Sequence, residues 1–455
     1  MPKQPRGRPS FCRDFDSGPC AMTHPHRRVR TGGRAIPVTQ RNQGRYMHGE
    51  LQRIADAVAA RVGRPALIED RRQRVVAYSE HDGPMDDVRR TSILRRQTTP
   101  EVIAWFRGMG VLTAHAPIRT PACAELDLLA RVCVPIRHDD LLLGFVWFID
   151  ADGSMTDADI ATATGPFTDL SLALYRENLL GELAAQRETE ATRTLLVESR
   201  QAREHAARAL LEEGVVAADG STVALVAQLV PAGGRQPDEV ARIALEQALV
   251  TTRRWIGVRE TLHLVWHDHG VLLVCGNRIA GRPSPEASAG HLNEALGTAT
   301  RGLASVDRTV TGIGQPRASL SSAVESYQEA AQAARVGAQL PALGRVVSWA
   351  GLGIYRVLSQ LDSQHLDVAG VHPGLERLLR DDVHQVLLET LEAYLDLAGN
   401  AHATAEKLRL HRTTLYYRLQ RVEQLAGTDL KDGNERLCLH LAMKLGRLTG
   451  HYRTA

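Results

Sequence analysis

The chain has 455 residues, a length that suggests several domains rather than a single core. Its apolar fraction of 44% is normal for a folded protein and excludes a wholly disordered chain. The net charge is only +3, but residues 1–45 hold ten Lys and Arg against two acids, and residues 401–455 hold ten against five. Positive charge at both ends is compatible with contact to a polyanion.

The composition also bears on the compartment. The six cysteines are widely separated and have no framework spacing: Cys12, Cys20, Cys123, Cys133, Cys275 and Cys438. We therefore expect reduced thiols in a cytoplasmic protein. No apolar run reaches the roughly 20 residues that span a bilayer, so we expect no membrane contact.

Residues 1–45 are rich in Pro, Gly and Arg and show no periodicity, which predicts a disordered basic leader. Cys12, Cys20, His24 and His26 could in principle bind a metal. Their spacing matches no common zinc pattern, so we expect no metal there.

Residues 46–165 combine helical and strand patterns. The predicted elements are a helix over Leu51–Val62, strands over Ala66–Glu69 and Arg74–Tyr78, a helix over Thr99–Arg107, and a hairpin formed by Arg131–Ile136 and Leu141–Ile149. This order predicts a small α+β sensor domain of the GAF or PAS kind, with a pocket for an unidentified small-molecule effector. An α+β domain with a filled core and no ligand remains open as an alternative.

Residues 166–213 contain no proline after Pro166, and their apolar residues recur at three- and four-residue spacings. This pattern predicts one long helix that connects two domains. A parallel dimer could bury the apolar stripe, which predicts a homodimer or a higher homo-oligomer. The polar stretch Gln186–Thr194 weakens the case for a coiled coil.

Residues 214–350 predict a second α/β domain. Its elements are a strand over Val223–Val230, a helix over Pro237–Ile256, a hairpin of Thr261–Trp266 and Val271–Cys275, a helix over Ala289–Leu303, a strand over Thr309–Ile313 and a helix over Leu320–Val336. That order is typical of a ferredoxin-like or nucleotidyl-cyclase-like fold.

The hairpin turn His267-Asp268-His269-Gly270 holds a single carboxylate, whereas a cyclase needs acidic residues for its divalent metal. His263, His267 and His269 would alternate on one strand face and could collect a metal, but surface histidines are the simpler interpretation. The chain has no P-loop and no Gly-x-Ser-x-Gly elbow. We therefore expect no catalytic residue, no metal and no cofactor.

The segment from about 365 to 455 is predicted to be all-helical. A helix with an apolar face at Leu387, Leu391 and Leu395 stops at Gly399-Asn400, and a short helix then runs over Ala401–Leu408. After the turn Arg409–Arg412, with Thr413 or Thr414 as the cap, a further helix is anchored by apolar residues at Leu415, Leu419, Val422 and Ala426. This pattern predicts a helix-turn-helix.

The polar residues of this segment suit double-stranded DNA. Arg and Gln can read guanine and adenine, while Thr, Tyr and Lys can hold phosphate oxygens. The predicted DNA-binding residues are Thr404, Lys407, His411, Arg412, Thr413, Thr414, Tyr417, Arg418, Gln420, Arg421 and Gln424. The alternative is that these side chains only solvate the outside of a helical bundle.

The C-terminal pattern resembles a known module. The runs Leu388-Glu389-Thr390-Leu391, Thr404-Ala405 and His411-Arg412-Thr413-Thr414-Leu415-Tyr416-Tyr417-Arg418-Leu419, followed by Gly427, look like the helix-turn-helix of PucR/CdaR regulators. One departure is Thr413, where that family usually has Asn. The resemblance implies control of a catabolic operon.

The resemblance extends upstream. Residues 214–350, with Thr311-Gly312-Ile313-Gly314 and Ser326-Tyr327, are similar to the degenerate GGDEF-like domain of these regulators, and residues 47–165 resemble a GAF-like sensor. Together they imply an α+β multidomain protein with sensor, connector and DNA-binding layers.

Two functional hypotheses remain. The first is a ligand-responsive DNA-binding transcription regulator. The second is a nucleotide-sensing or signalling protein in which the C-terminal helices mediate protein contacts. Steep weakening of DNA binding with rising salt would favour the first.

Overall fold

The computed structural model describes residues 38–450 except 198, 218–219, 235–236, 277–282, 361–367 and 380–384. The group Cys12, Cys20, His24 and His26, with most of the predicted leader, lies outside the described residues. Helix α1 spans Val38–Val62, so the expectation of disorder was wrong for residues 38–45. The sequence contains no proline between Pro37 and Leu51, where the predicted helix begins, so no residue there prevents the helix from extending toward the N-terminus.

The first unit is a five-stranded antiparallel sheet with helices on both faces. After α1 come β1 (Ala66–Asp70), β2 (Val75–Tyr78), α2 (Asp87–Arg95), α3 (Pro100–Gly108), β3 (Ile118–Thr120), β4 (Arg131–His138), β5 (Leu141–Ile149) and α4 (Asp157–Ala161). The strand order is β2-β1-β5-β4-β3. The predicted strands, the helix near Thr99–Arg107 and the hairpin are confirmed, whereas α2 and the short β3 were not predicted.

Each sheet face has its own apolar core. Leu51, Ala55 and Val58 of α1 pack on one face of the sheet. Leu170 and Leu174, from the long helix that follows this unit in the chain, pack on the same face. On the opposite face, Phe106 of α3 stacks on Trp147 of β5 with ring centroids 4.1 Å apart. The second face also contains buried charged residues, which are described below.

The predicted single connecting helix is two helices, α5 (Thr164–Val197) and α6 (Arg200–Glu212). Ser199 caps α6 by accepting a hydrogen bond from the Ala202 amide, and serine favours such a cap over a helix interior. Helix α5 still joins the two sheets, because Leu170 and Leu174 belong to the first core and Leu195 and Leu196 to the second.

The second unit follows the predicted order closely. Its elements are β6 (Val223–Pro231), α7 (Glu239–Ile256), β7 (Thr261–Val265), β8 (His269–Val274), α8 (Pro285–Ala299), β9 (Val306–Ile313), α9 (Ala323–Gln339) and β10 (Val346–Ser348). The strand order is β10-β9-β6-β8-β7, in which β10 pairs with β9 in parallel and the other neighbours are antiparallel. The β-α-β-β-α-β connectivity is the predicted one.

The histidines of the hairpin do not share a strand face as expected. Strand β7 ends at Val265 and β8 begins at His269, so His267 lies in the turn. His263 contacts Arg253, whereas His269 contacts Asp268 and Tyr327. The tight turn, closed by the Trp266 amide and the His269 carbonyl, separates the side chains.

The C-terminal unit is helical throughout its described residues. It comprises α10 (Tyr355–Leu358), α11 (Val368–Val371), α12 (Pro373–Leu379), α13 (Gln385–Asp396), α14 (Ala401–Lys407), α15 (Arg412–Ala426) and α16 (Gly433–Leu448). Leu391, Leu415, Val422 and Leu439 are among the buried residues of one shared core. Within the described ranges, no helix combines the length and apolar character that crossing a bilayer requires.

Candidate nucleic-acid interface

Local hydrogen bonds define the start of α14 and the turn between α14 and α15. Gly399 adopts a left-handed conformation after α13, and the Asn400 side chain accepts hydrogen bonds from the amides of His402 and Ala403, both at 3.1 Å. Between the two helices, Arg409 is also left-handed, and the Leu410 amide donates to the Ala405 carbonyl at 2.8 Å. This geometry produces the sharp turn of a helix-turn-helix.

The predicted cap of α15 was wrong. His411, rather than Thr413 or Thr414, is the N-cap residue, and its Nδ1 accepts a hydrogen bond from the Thr413 amide at 3.4 Å. The same Nδ1 lies 2.8 Å from Thr413 Oγ1. Because the Thr413 hydroxyl can donate to this nitrogen, Thr413 supports the cap from inside the first turn.

The apolar side of α15 is the predicted one. Leu415, Leu419, Val422 and Ala426 are buried at spacings of four, three and four residues. Gly427 ends the helix in a left-handed conformation. Since the apolar side faces the helical core, most polar residues of α15 are directed outward.

Nine of the eleven predicted DNA-binding residues are exposed, and we call them the polar face: Lys407, His411, Arg412, Thr413, Thr414, Tyr417, Gln420, Arg421 and Gln424. Tyr417 retains 69% of its accessible surface. Arg421 Nη1 donates to Gln424 Oε1 at 3.3 Å, which places these two groups side by side on α15. The described part of the chain does not cover this face.

Two predicted residues are not fully exposed and make contacts within the fold. Thr404 is 0% exposed and its hydroxyl donates to the Asn400 carbonyl at 2.7 Å, so it cannot reach a phosphate. Arg418 is half-buried and donates to Thr390 Oγ1 at 3.1 Å, which connects α15 to α13. Their spacing alone could not separate an inward from an outward polar residue.

Sequence reasoning also missed two exposed residues. Tyr416 retains 58% of its accessible surface beside Tyr417, and Arg409 is exposed in the turn. Its position could have indicated this exposure: Tyr416 directly follows the buried Leu415, and successive residues of a helix point about 100° apart. Residues 401–426 hold five Lys and Arg against two Glu, a balance that favours an anionic partner.

A network of ion pairs fixes α16 against α13. Glu392 Oε2 pairs with Arg447 Nη2 at 2.7 Å, and Asp396 Oδ1 accepts from Lys444 at 2.7 Å and His440 at 2.8 Å. Burial opposes ionisation of Asp396, but the hydrogen bonds from His440 and Lys444 lower its pKa to about 2. These charges are therefore engaged within the bundle, in contrast to those of the polar face.

Comparison with known proteins agrees with this geometry. Residues 387–445 match the PucR C-terminal helix-turn-helix domain. The chain is 24% identical over 408 residues to the DNA-binding transcriptional activator AdeR of Bacillus subtilis, covering 88% of this chain and 94% of that protein. It is 20% identical over 410 residues to the proline-responsive transcriptional activator PutR of the same organism, covering 88% and 97%.

A shorter match has higher identity. The chain is 42% identical to the purine catabolism regulatory protein of Bacillus subtilis over 64 residues, which is 14% of this chain and 12% of that protein. The fold and sequence thus define a helix-turn-helix protein. Its C-terminal unit is a PucR-type helix-turn-helix domain, and the chain is homologous to regulators of the PucR and CdaR type.

Proposed function

We propose that the protein is a ligand-responsive, DNA-binding transcription regulator of a catabolic or metabolic operon. The observation that carries this proposal is the polar face of α14 and α15, which is uncovered by the described residues and lies within the segment that matches a PucR helix-turn-helix. The whole-length similarity to two transcriptional activators supports it further.

The polar face has the chemistry to bind a duplex. Arg421 and Gln424 carry the groups that form bidentate contacts with guanine and adenine in the major groove. Lys407 and Arg412, at the end of α14 and the start of α15, can hold phosphates and fix the register. The exposed Tyr417 adds a hydroxyl for phosphate or sugar.

The upstream units would act as sensor and scaffold. We assign residues 46–165 to a GAF-like sensor, 166–213 to the connector, 214–350 to a degenerate GGDEF-like domain and 365–455 to the DNA-binding domain. The antiparallel sheet with helices on both faces supports the first assignment, and the β-α-β-β-α-β connectivity supports the third. Asp268, the one carboxylate of the hairpin turn, pairs with His269 at 2.7 Å, so the scaffold is proposed to have no cyclase activity.

A second copy of the chain is the proposed partner. Leu172, Leu179 and Leu183 of α5 are each more than two-fifths exposed although they are large and apolar. They lie within four turns of one helix, and pairing with the same surface of a second copy would remove them from water. A dimer would also present two recognition helices to two half-sites about 34 Å apart or a multiple of that distance.

Helix α5 would carry the effector signal. Its first part packs in the sensor core, and near its end Glu188 Oε1 pairs with Arg253 Nη1 of α7 at 2.6 Å. Arg253 is 9% exposed and also contacts His263. A shift of α5 in the sensor would therefore move the second unit through an ion pair that is largely shielded from salt.

The test is to incubate the purified full-length protein with fragmented genomic DNA and to sequence the retained fragments. We expect enrichment of a shared sequence with two related halves, and affinity that falls steeply between 50 and 200 mM salt. Retention of fragments without any shared sequence, or binding that salt does not weaken, would contradict the proposal.

A further inference from the structure

Arg89 of α2 is a buried cation without an ion-pair partner. Its side chain is 0% exposed. Nη2 donates to the Trp147 carbonyl at 3.0 Å, Nη1 contacts His81 Nε2 at 3.1 Å, and Nε has no hydrogen-bond partner. Among the described residues, no carboxylate lies within ion-pair distance of this guanidinium.

The two nearest acids are engaged by other groups. Both carboxylate oxygens of Asp86 accept from Arg131 Nη2 at 2.6 Å, and the Leu129 amide donates to the same carboxylate. Glu69 accepts from Trp147 Nε1 at 2.9 Å and from the Thr98 hydroxyl. Burial raises the pKa of Glu69 to about 7, so this carboxyl is only partly ionised at neutral pH.

An uncompensated buried charge is costly for a protein. Burial lowers the pKa of Arg89 to about 9, which still leaves the guanidinium charged at neutral pH. An anion placed against Arg89 would offset this cost. The buried guanidinium could therefore form an ion pair with a bound anion.

His81 occupies the position that such an anion would take. Arginine can only donate, so His81 Nε2 must accept and carries no hydrogen. Nδ1 lies 2.8 Å from the Ser79 carbonyl, which can only accept, so the hydrogen is on Nδ1 and the ring is neutral. Burial, followed by repulsion from Arg89, lowers the pKa of His81 in agreement with this assignment.

The histidine also faces open space. The irregular segment Ser79–Pro84 lines a cleft of about 770 Å³ between the end of α1 and the end of β5. This volume is within the range of small-molecule sites. A ligand that enters the cleft and takes the place of the His81 ring would reach Nη1 of Arg89.

The cleft rim restricts the charge of the ligand. Four acids line it, Asp56, Glu80, Asp82 and Asp152, against one arginine, Arg64. Arg64 is already paired with Asp150 and Asp152. A second carboxylate on the ligand would therefore meet negative charge at the rim.

We propose that Arg89 is the anchor for a small monocarboxylate, which enters the cleft beside Ser79–Pro84 and displaces the neutral ring of His81. The role of this ligand as the effector rests on the proposed regulatory function. Its binding to the sensor does not, and it can be measured without DNA.

The experiment uses the full-length protein and a panel of butyrate, lactate and benzoate, their amides, and succinate. Binding is read by saturation-transfer NMR and by the shift in Tm at 10 mM ligand. We expect at least one monocarboxylate to bind, with its amide and succinate at least tenfold weaker. Binding of no monocarboxylate, or equal binding of an acid and its amide, would overturn the proposal.

Variants locate the site. Arg89→Gln should weaken the monocarboxylate at least tenfold, whereas Arg90→Gln, which removes the neighbouring exposed charge, should leave it unchanged. His81→Ala should bind at least threefold more tightly because no ring has to be displaced. Equal losses in the two arginine variants would overturn the proposal. If circular dichroism shows that Arg89→Gln is unfolded, unchanged or weaker binding by His81→Ala would overturn it.

Discussion

Replacing Arg421 with Ala should separate base reading from general attraction to DNA. Arg421 is exposed, and within the described residues its side chain donates one hydrogen bond, to Gln424 three residues further along the same helix, at 3.3 Å. Loss of this surface contact should change the free energy of unfolding by less than about 0.5 kcal/mol. Loss of a bidentate base contact costs about 1–3 kcal/mol of discrimination, or about 5- to 160-fold in relative affinity.

The assay is fluorescence anisotropy at one fixed salt concentration, with a fragment retained from the genome and a scrambled fragment of the same composition. Arg421→Ala should lose most of its preference for the retained fragment while its affinity for the scrambled one falls only slightly. Arg208→Ala on α6 removes one exposed arginine from another part of the chain and serves as the matched control. Equal losses on both fragments would refute a base-reading role for Arg421.

Four further predictions concern charge, pH, packing and chemistry. Lys407→Ala should weaken binding to all DNA sequences alike and reduce the slope of log K against log salt by about 1, and a sequence-selective loss would contradict a phosphate contact. In the folded protein the pKa of Glu69 is raised from 4.5 to about 7, so the folded protein binds this proton more tightly than the unfolded chain does. The protonated carboxyl therefore stabilises the fold below pH 4.5, and this contribution to the free energy of unfolding should be lost as the pH rises to 7. Chemical unfolding should show this loss as about 3 kcal/mol in the wild type relative to Glu69→Gln, and parallel pH profiles would argue against it. Gly312→Ala should lower the Tm and reduce the free energy of unfolding by about 1–3 kcal/mol, because the new Cβ would lie 2.0 Å from the Ala330 carbonyl oxygen. An unchanged Tm would show that α9 does not pack directly on β9. Incubation with GTP and Mg²⁺ should yield no cyclic dinucleotide by chromatography, and detectable product would overturn the scaffold assignment.

The parts of the fold that could be predicted are those in which periodicity decides burial. Leu415, Leu419 and Val422 are buried as their spacing predicts, and the β-α-β-β-α-β order follows from apolar runs of strand length. In both cases the spacing of apolar residues within one helix or strand decides which side chains are buried. Local sequence is then sufficient.

The errors come from places where tertiary contacts decide. Thr404 has suitable spacing, but it is buried and its hydroxyl bonds to the Asn400 carbonyl at the start of its own helix. The helix break at Ser199 was missed because a serine within a long helical pattern does not by itself mark a new cap, although Leu195 of α5 and Leu210 of α6 do pack in one core. Arg89 could not be singled out because its isolation depends on Asp86 pairing with a distant strand residue.

The central claim is that the exposed side of α15 contacts DNA, and site-specific photocrosslinking tests it most directly. A photoreactive phenylalanine derivative replaces Tyr417 in one variant and Leu94, an exposed residue of α2, in another. We expect illumination with a retained genomic fragment to crosslink the position 417 variant and not the position 94 variant. Equal crosslinking at both positions, or none at position 417 while the DNA remains bound, would contradict the account.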